Sequence, residues 1–252
     1  MMFLNVVTAM KLFAVRLRRE HLENKDDVLK DDVFMEKKEA EQILSKLKAN
    51  YPSARTALKF NSPFELLIAT ILSAQCTDIR VNEITKELFE LANTPQDILK
   101  LGRPRLIQII KGAGLYKNKS KNILETCEIL VDEYEGEVPA KREELEKLPG
   151  VGRKTANVVL ANAFNIPAFA VDTHVLRVSK RLGLTDKEDP RGVEQDLMSV
   201  FDRDDWNVGH HLLIYHGRAV CKARKPQCEN CSIIEHCKYY HDNYQYPNST
   251  GR

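Results

Sequence analysis

Apolar residues recur at three- and four-residue intervals along most of this 252-residue chain, and strand-like alternation is missing. Glu36–Ala49 and Pro63–Ala74 carry that spacing. Asp78 reads as the N-cap of a helix running to about Leu91, and Thr94-Pro95 opens the next with a cap residue and a proline in the first turn. Lys119–Tyr134 is a long amphipathic segment with Gly136 as its closing glycine. Arg142–Leu148, Arg153–Phe164, Asp172–Leu182, Arg191–Phe201 and Asp205–Val220 complete about ten predicted helices. The expected class is all-α, without internal repeats or low-complexity tracts.

Composition changes this picture little. Hydrophobic residues make up 43% and charged residues 29%, as in an ordinary globular protein. The net charge of +2 neither requires nor excludes a nucleic-acid partner, because a local basic patch suffices to bind phosphate. No apolar run reaches the roughly 18–20 residues that span a bilayer, so no membrane partner is expected. Residues 1–34 differ from the rest. The first nineteen hold Lys11, Arg16, Arg18 and Arg19 and no acid, and a charged stretch His21–Asp32 follows. They read as a disordered or over-extended terminus ahead of Met35. An organellar transit peptide is the alternative, weakened by the absence of serine before Ser45.

Chemistry enters at Leu148-Pro149-Gly150-Val151-Gly152, a loop between two helical patterns. Its glycines allow a tight turn with exposed N–H groups, and the next helix starts there with its positive dipole end. Such a turn suits a phosphate oxygen, though it equally makes a plain helix–helix connection. Lys154 sits in the first turn of the second helix, where the dipole disfavours an ammonium ion. Partial burial there would ease its deprotonation to a nucleophilic amine; a phosphate contact beside Arg153 is the simpler reading. Asp172 reads as the N-cap of its helix, which by itself accounts for the residue. A carboxylate kept ionised by backbone N–H groups could also stabilise a sugar cation. His174 reads as structural.

Six cysteines are present, and Cys221, Cys228, Cys231 and Cys237 fall in the spacing C-x6-C-x2-C-x5-C. With one C-x2-C pair instead of two, this departs from zinc ribbons and favours a [4Fe–4S] cluster, zinc being the alternative. The loop inside the ligand set holds Lys222, Arg224 and Lys225 and no acid. Held at both ends by ligands it would form a rigid phosphate contact, and otherwise a solvated charge run. Cys76 and Cys127 are expected on apolar helix faces, and His210, His211 and His216 are packing or surface residues.

Together, Leu148-Pro-Gly-Val-Gly-Arg-Lys154-Thr-Ala-Asn, Val171-Asp172-Thr-His and the four-cysteine tail resemble the endonuclease III family in content, order and spacing. The likeness extends to Ser62-Pro-Phe-Glu-Leu-Leu-Ile and Leu72-Ser-Ala-Gln-Cys-Thr-Asp78 and covers about residues 35–240. It implies a helix-hairpin-helix DNA glycosylase fold, with a central helical barrel (56–166) and a cluster domain (35–55 plus 167–240) flanking a DNA groove. Residues 1–34 and 241–252 would be tails.

The resemblance further implies a monomeric base-excision repair enzyme acting on double-stranded DNA with damaged pyrimidines or abasic sites. Lys154 would be its Schiff-base nucleophile and Asp172 its catalytic carboxylate. Gln75 and Leu115 would fill the gap left by the flipped nucleotide, among a strand-gripping set of Lys111, Lys117, Lys119 and Lys121. Gly150, Gly152, Lys222, Arg224 and Lys225 would hold phosphate. The expected location is the cytoplasm with the nucleoid, organellar targeting being the lesser alternative. Cys76 departs from the small residue usual after Gln75.

Two rival readings fit less well. The adenine glycosylase branch lacks a lysine at the Lys154 position and carries a further C-terminal domain, for which the fifteen residues after Cys237 leave no room. A catalytically silent DNA-binding module needs neither Lys154 nor Asp172.

Overall fold

The computed structural model describes residues 35–245, and no strand occurs among them. The expectations for residues 1–34 and for the end of the C-terminal tail lie outside the described residues. Ten α-helices of four residues or more run in order among the described residues: α1 Lys37–Asn50, α2 Pro63–Ser73, α3 Asp78–Leu91, α4 Pro95–Ile110, α5 Tyr116–Tyr134, α6 Arg142–Leu145, α7 Arg153–Ala163, α8 Thr173–Leu182, α9 Pro190–Val200 and α10 Trp206–Ala219. None is long and apolar enough to cross a membrane.

Helix α2 organises the core. Every residue from Phe64 to Leu72 is buried, so this helix has no solvent face. Its start is well specified. The Ser62 hydroxyl accepts from the Glu65 N–H at 3.2 Å, Pro63 occupies the first turn, and the Glu65 carboxylate accepts from the Asn61 N–H at 2.6 Å. Helices α3, α5 and α7 pack around it. One apolar cluster runs from Leu58 through Ile98, Leu106 and Ile123 to Ala168. Beyond it, α8 packs on α10, and α1 packs on both α9 and α10.

Several predicted boundaries move, each for a local reason. Thr77, not Asp78, caps α3: its hydroxyl accepts from the Arg80 N–H, and Asp78 is the first helical residue. Helix α5 begins at Tyr116, three residues before Lys119, because Leu115 itself takes a left-handed conformation (φ 46°) and starts the helix. At the other end Glu135 (φ 56°) is left-handed as well as Gly136 (φ 85°), so the turn away from α5 uses two such residues. Helix α6 stops at Leu145, and its continuation to Leu148 is a series of tight turns. Helix α4 is broken at Gly102 (φ 75°), two residues before Pro104. Cys127 is buried as expected, and burial pushes its thiol up to about 12, whereas Cys76 lies half-buried in the turn after α2 and on no helix face.

The histidines of α10 are core residues: His210, His211 and His216 are 1%, 9% and 2% exposed. The His210 and His211 rings lie 3.8 Å apart, and a His211 ring nitrogen meets Asn162 Oδ1 at 3.0 Å. Burial holds His211 and His216 down to about 4 and His210 well below its usual value. The folded protein thus accepts only neutral imidazoles, whereas the unfolded chain protonates them near 6.5. Their contribution to stability is therefore complete above pH 6.5 and is lost as pH falls toward 4. Urea titrations between pH 7 and 4 should show this decline. His211→Gln should reduce it by about 3 kcal/mol at the acid end. An unchanged pH slope in that variant would contradict the assignment.

Candidate active site and metal centre

Lys154 and Asp172 line one cavity of about 90 Å³ together with Ser73, Asp78, His210 and Arg218. The cavity opens on a wider cleft, about 570 Å³, bordered by Lys154, Asp172, Gln75, Thr77 and Arg218. A larger groove of about 960 Å³ between Arg55 and Asn93 contains neither Lys154 nor Asp172.

Each residue of the pair is presented by a helix start. Asp172 caps α8 with one oxygen only: Oδ1 accepts from the N–H groups of His174 and Val175, both at 2.8 Å. Its second oxygen, Oδ2, makes no hydrogen bond among the described residues, so capping leaves that oxygen free. Lys154 is the second residue of α7, a helix whose start no side chain caps. Its ammonium has no ion-pair partner among the described residues. Lys154 is exposed, so the partial burial that would ease its deprotonation is absent, and it borders the cleft from the first turn of α7.

The hairpin glycines differ in why they are glycine. Gly150 is left-handed (φ 79°), and a Cβ there would lie 2.7 Å from Asn122 Nδ2, so the fold itself requires it. A Cβ on Gly152 would meet nothing within 4 Å. No intramolecular packing explains Gly152, which leaves the uncapped N-terminus of α7 open to an external group. Arg153 is not a free phosphate ligand. It makes a two-pronged pair with the buried Glu194 of α9, at 2.7 and 2.9 Å, which holds its charge and raises its pKa.

Residues without any sequence signal of their own set the relative placement of the pair. Asn157, fully buried one turn along α7 from Lys154, accepts from Arg142 Nε at 2.9 Å and donates to the Phe169 carbonyl at 2.9 Å. It thereby ties α7 to the segment leading into Asp172. Arg218 at the end of α10 pairs with Asp78 at 3.1 Å, and both line the smaller cavity. His174 is held between Asp172 and Arg177, with Arg177 Nη2 3.0 Å from its Nδ1, and burial lowers its pKa, in keeping with a structural role.

Gln75 (φ 54°) and Leu115 (φ 46°) are exposed tips of neighbouring loops, both left-handed without being glycine. Gln75 borders the Lys154 cleft, and Leu115 is a large apolar side chain 57% exposed. Of the four lysines expected to surround Leu115, Lys111, Lys117 and Lys121 are exposed. Lys119 is not: it is buried at 4% exposure on the apolar face of α5, where burial lowers its pKa. It cannot grip a strand.

Cys221, Cys228, Cys231 and Cys237 line one small apolar-walled cavity with Leu182, Val220 and Pro226. Burial raises the thiol pKa of Cys228 and Cys231, and takes Cys237 up to about 11. No three metal-ligating side chains among the described residues converge as a single ion would need. Four thiols framing a cavity fit a cluster in which each iron takes one thiolate. Helix α8 holds this region. Arg177 donates to the carbonyls of Cys221 (3.2 Å) and Gly217 (3.0 Å). Arg181 donates to the carbonyls of Lys222 (2.7 Å) and Ala223 (3.1 Å), and stacks over Tyr239. Lys222, Arg224 and Lys225 are thus exposed on a loop that two arginines anchor, not the cysteines alone. A signal for this is present in the sequence, since Arg177 and Arg181 are four apart on one helix face.

Comparison with known proteins agrees in both regions. Residues 68–203 match the model of the HhH-GPD superfamily base excision DNA repair protein, and residues 221–237 match the iron-sulfur binding domain of endonuclease III. The chain is 49% identical over 202 residues to endonuclease III of Bacillus subtilis, covering 80% of this chain and 92% of that one. It is 48% identical over 205 residues to endonuclease III of Escherichia coli, covering 81% and 97%. Among solved structures, a trapped endonuclease III–DNA covalent intermediate superposes with TM-score 0.79 at 47% identity, covering 83% of this chain and 99% of that chain. A thermostable thymine-DNA glycosylase, at 24% identity and TM-score 0.74, shares the fold, with 81% and 98% covered.

The Asn157 bridge is testable on its own. Asn157→Leu keeps the branched side-chain shape but leaves the Phe169 carbonyl and Arg142 Nε without this partner, at a cost of about 1–3 kcal/mol. Urea denaturation should show that loss. A change below about 0.5 kcal/mol, the range of an ordinary surface substitution, would mean the bridge does not hold the two segments together.

Proposed function

The chain belongs to the endonuclease III family, and from that premise we propose that Lys154 is the nucleophile, and Asp172 the catalytic carboxylate, of a bifunctional DNA glycosylase and abasic-site lyase. The enzyme excises oxidised pyrimidines from duplex DNA and cleaves the abasic strand. The observation that carries the residue assignment is the shared cleft: an unpaired ammonium on one helix start, and a carboxylate on the next with one oxygen left free.

Extruding a damaged base costs a few kcal/mol, less when the base is poorly stacked. Gln75 and Leu115 fill the space it leaves. The neutral amine of Lys154 then attacks C1′, and the bond from C1′ to the base breaks with its electron pair leaving on the base. Asp172 stabilises the positive charge developing on the sugar and takes the proton shed by the amine. Opening of the sugar ring turns the adduct into a Schiff base, which acidifies C2′. Loss of a C2′ proton and departure of the 3′ phosphate complete the β-elimination, and water releases Lys154.

Gly150 and Gly152 let the N-terminus of α7 approach one phosphate, and Lys222, Arg224 and Lys225 engage others. Cys221, Cys228, Cys231 and Cys237 hold the [4Fe–4S] cluster. When bound, the cluster contributes structural cross-linking of the loop that presents those cations. With 56–166 as barrel domain and 35–55 plus 167–240 as cluster domain, Lys154 comes from one and Asp172 from the other. The DNA groove then runs between them. The enzyme works as a monomer in the cytoplasm, on the nucleoid.

Borohydride reduction of the protein mixed with duplex DNA carrying thymine glycol or an abasic site should give a covalent adduct. Lys154→Ala should abolish it while leaving binding intact; an undiminished adduct would remove Lys154 from the role. Asp172→Asn retains an N-cap acceptor, so its stability should stay within about 1 kcal/mol of wild type while excision slows by about 10²–10³-fold. A collapse of stability without a specific rate loss would leave Asp172 as a cap only. Neutralising Lys222, Arg224 and Lys225 should flatten the dependence of log affinity on log salt by about 0.9 for each phosphate no longer neutralised, and an unchanged slope would take this loop off the DNA.

A further inference from the structure

Lys119 is the only lysine among the described residues that lies in the core. It stands at the apolar spacing of α5, four residues before Ile123 and eight before Cys127, both fully buried. Its three ammonium protons meet three acceptors, all backbone carbonyls: Leu72 at 2.8 Å, Ala74 at 2.7 Å and Ala113 at 2.6 Å. Leu72 and Ala74 end α2, where unpaired carbonyls and the negative end of the helix dipole favour a cation. Ala113 closes the short turn between α4 and α5.

The residues just beyond these carbonyls are the tips of the two loops. Gln75 follows Ala74 directly, and Leu115 follows Ala113 after Gly114. Both tips hold a left-handed conformation that non-glycine residues adopt only where their surroundings impose it. The loops also meet each other, since a Cβ on Gly114 would lie 4.0 Å from the Gln75 carbonyl oxygen. We infer that Lys119 is a positioning residue for nucleotide extrusion: its ammonium fastens both loops to one point, so that Gln75 and Leu115 enter the duplex as a single rigid wedge. The inference rests on the gap-filling role proposed above for those two side chains. A loop pair free to move apart would lose the energy of insertion to ordering, and the base would restack. Lys119 itself touches neither DNA nor the reacting atoms.

The test compares two reactions of the holoenzyme in wild type, Lys119→Met, Lys119→Arg and Leu115→Ala. One is excision of thymine glycol from duplex DNA, which needs extrusion. The other is borohydride trapping on single-stranded abasic DNA, which does not. In Lys119→Met, excision relative to trapping should fall at least tenfold, with the visible absorbance of the cluster kept. Leu115→Ala should show the same split, and Lys119→Arg should recover part of it. Equal loss in both reactions, or no loss in either, would overturn the positioning role. If Lys119→Met does not fold, Lys119→Gln carries the same comparison; failure of both to fold would make Lys119 a structural residue only and overturn the proposal. Wild-type protein that neither excises nor traps would instead overturn the enzymatic reading on which the proposal rests.

Discussion

Burial of α2 on every face is the constraint from which the rest of the molecule follows. A helix with no polar side cannot meet water, so its neighbours must cover it completely. One of those neighbours is α7, and covering α2 fixes where α7 begins and thus where Lys154 stands. The end of α2 emerges from the core at Ala74, beside the cleft, and hands the chain to Gln75. The same packing therefore delivers Lys154 and Gln75 to one place.

The second carboxylate oxygen of Asp172 shows how little extra structure the chemistry needs. An N-cap must be held rigidly to satisfy two backbone N–H groups, and that rigidity is what a catalytic carboxylate requires. Because both hydrogen bonds fall on Oδ1, the helix start and the proposed reaction do not compete for the same lone pairs. The helix that Asp172 opens also carries Arg177 and Arg181, whose hydrogen bonds fix the basic loop inside the cysteine set. One short helix thus links Asp172 to the proposed phosphate contacts, so that the distance between them is set by a rigid element.

Polar groups in this core act as fasteners between segments. Asn157 joins α6, α7 and the approach to α8, and Glu194 joins α9 to the start of α7. Lys119 joins the end of α2 to the turn before α5. Each ties together elements that packing alone leaves free to slide. Apolar side chains would fill the same volume but would not set these segments to within a hydrogen bond of one another.

The sequence by itself determined the helical class, nearly all the helices, the hairpin and the cysteine set, whereas Lys154 and Asp172 stood out only through the family resemblance. Those features are local: periodicity, caps, glycine pairs and ligand spacing are written in neighbouring residues. Lys119 reads as a surface cation beside Lys117 and Lys121, although its spacing to Ile123 and Cys127 already puts it on the apolar face of α5. Thr77 and Asp78 are both competent caps for α3, and the hydroxyl's reach to Arg80 N–H decided between them. Tertiary structure alone decided that Oδ2 of Asp172 is free, that Arg153 is spoken for by Glu194, and that Gln75 and Leu115 share one anchor. These depend on at least one partner 41 to 47 residues away, or on which of two equivalent oxygens a fold consumes. No pattern along a chain encodes that, because it is fixed only when the helices pack.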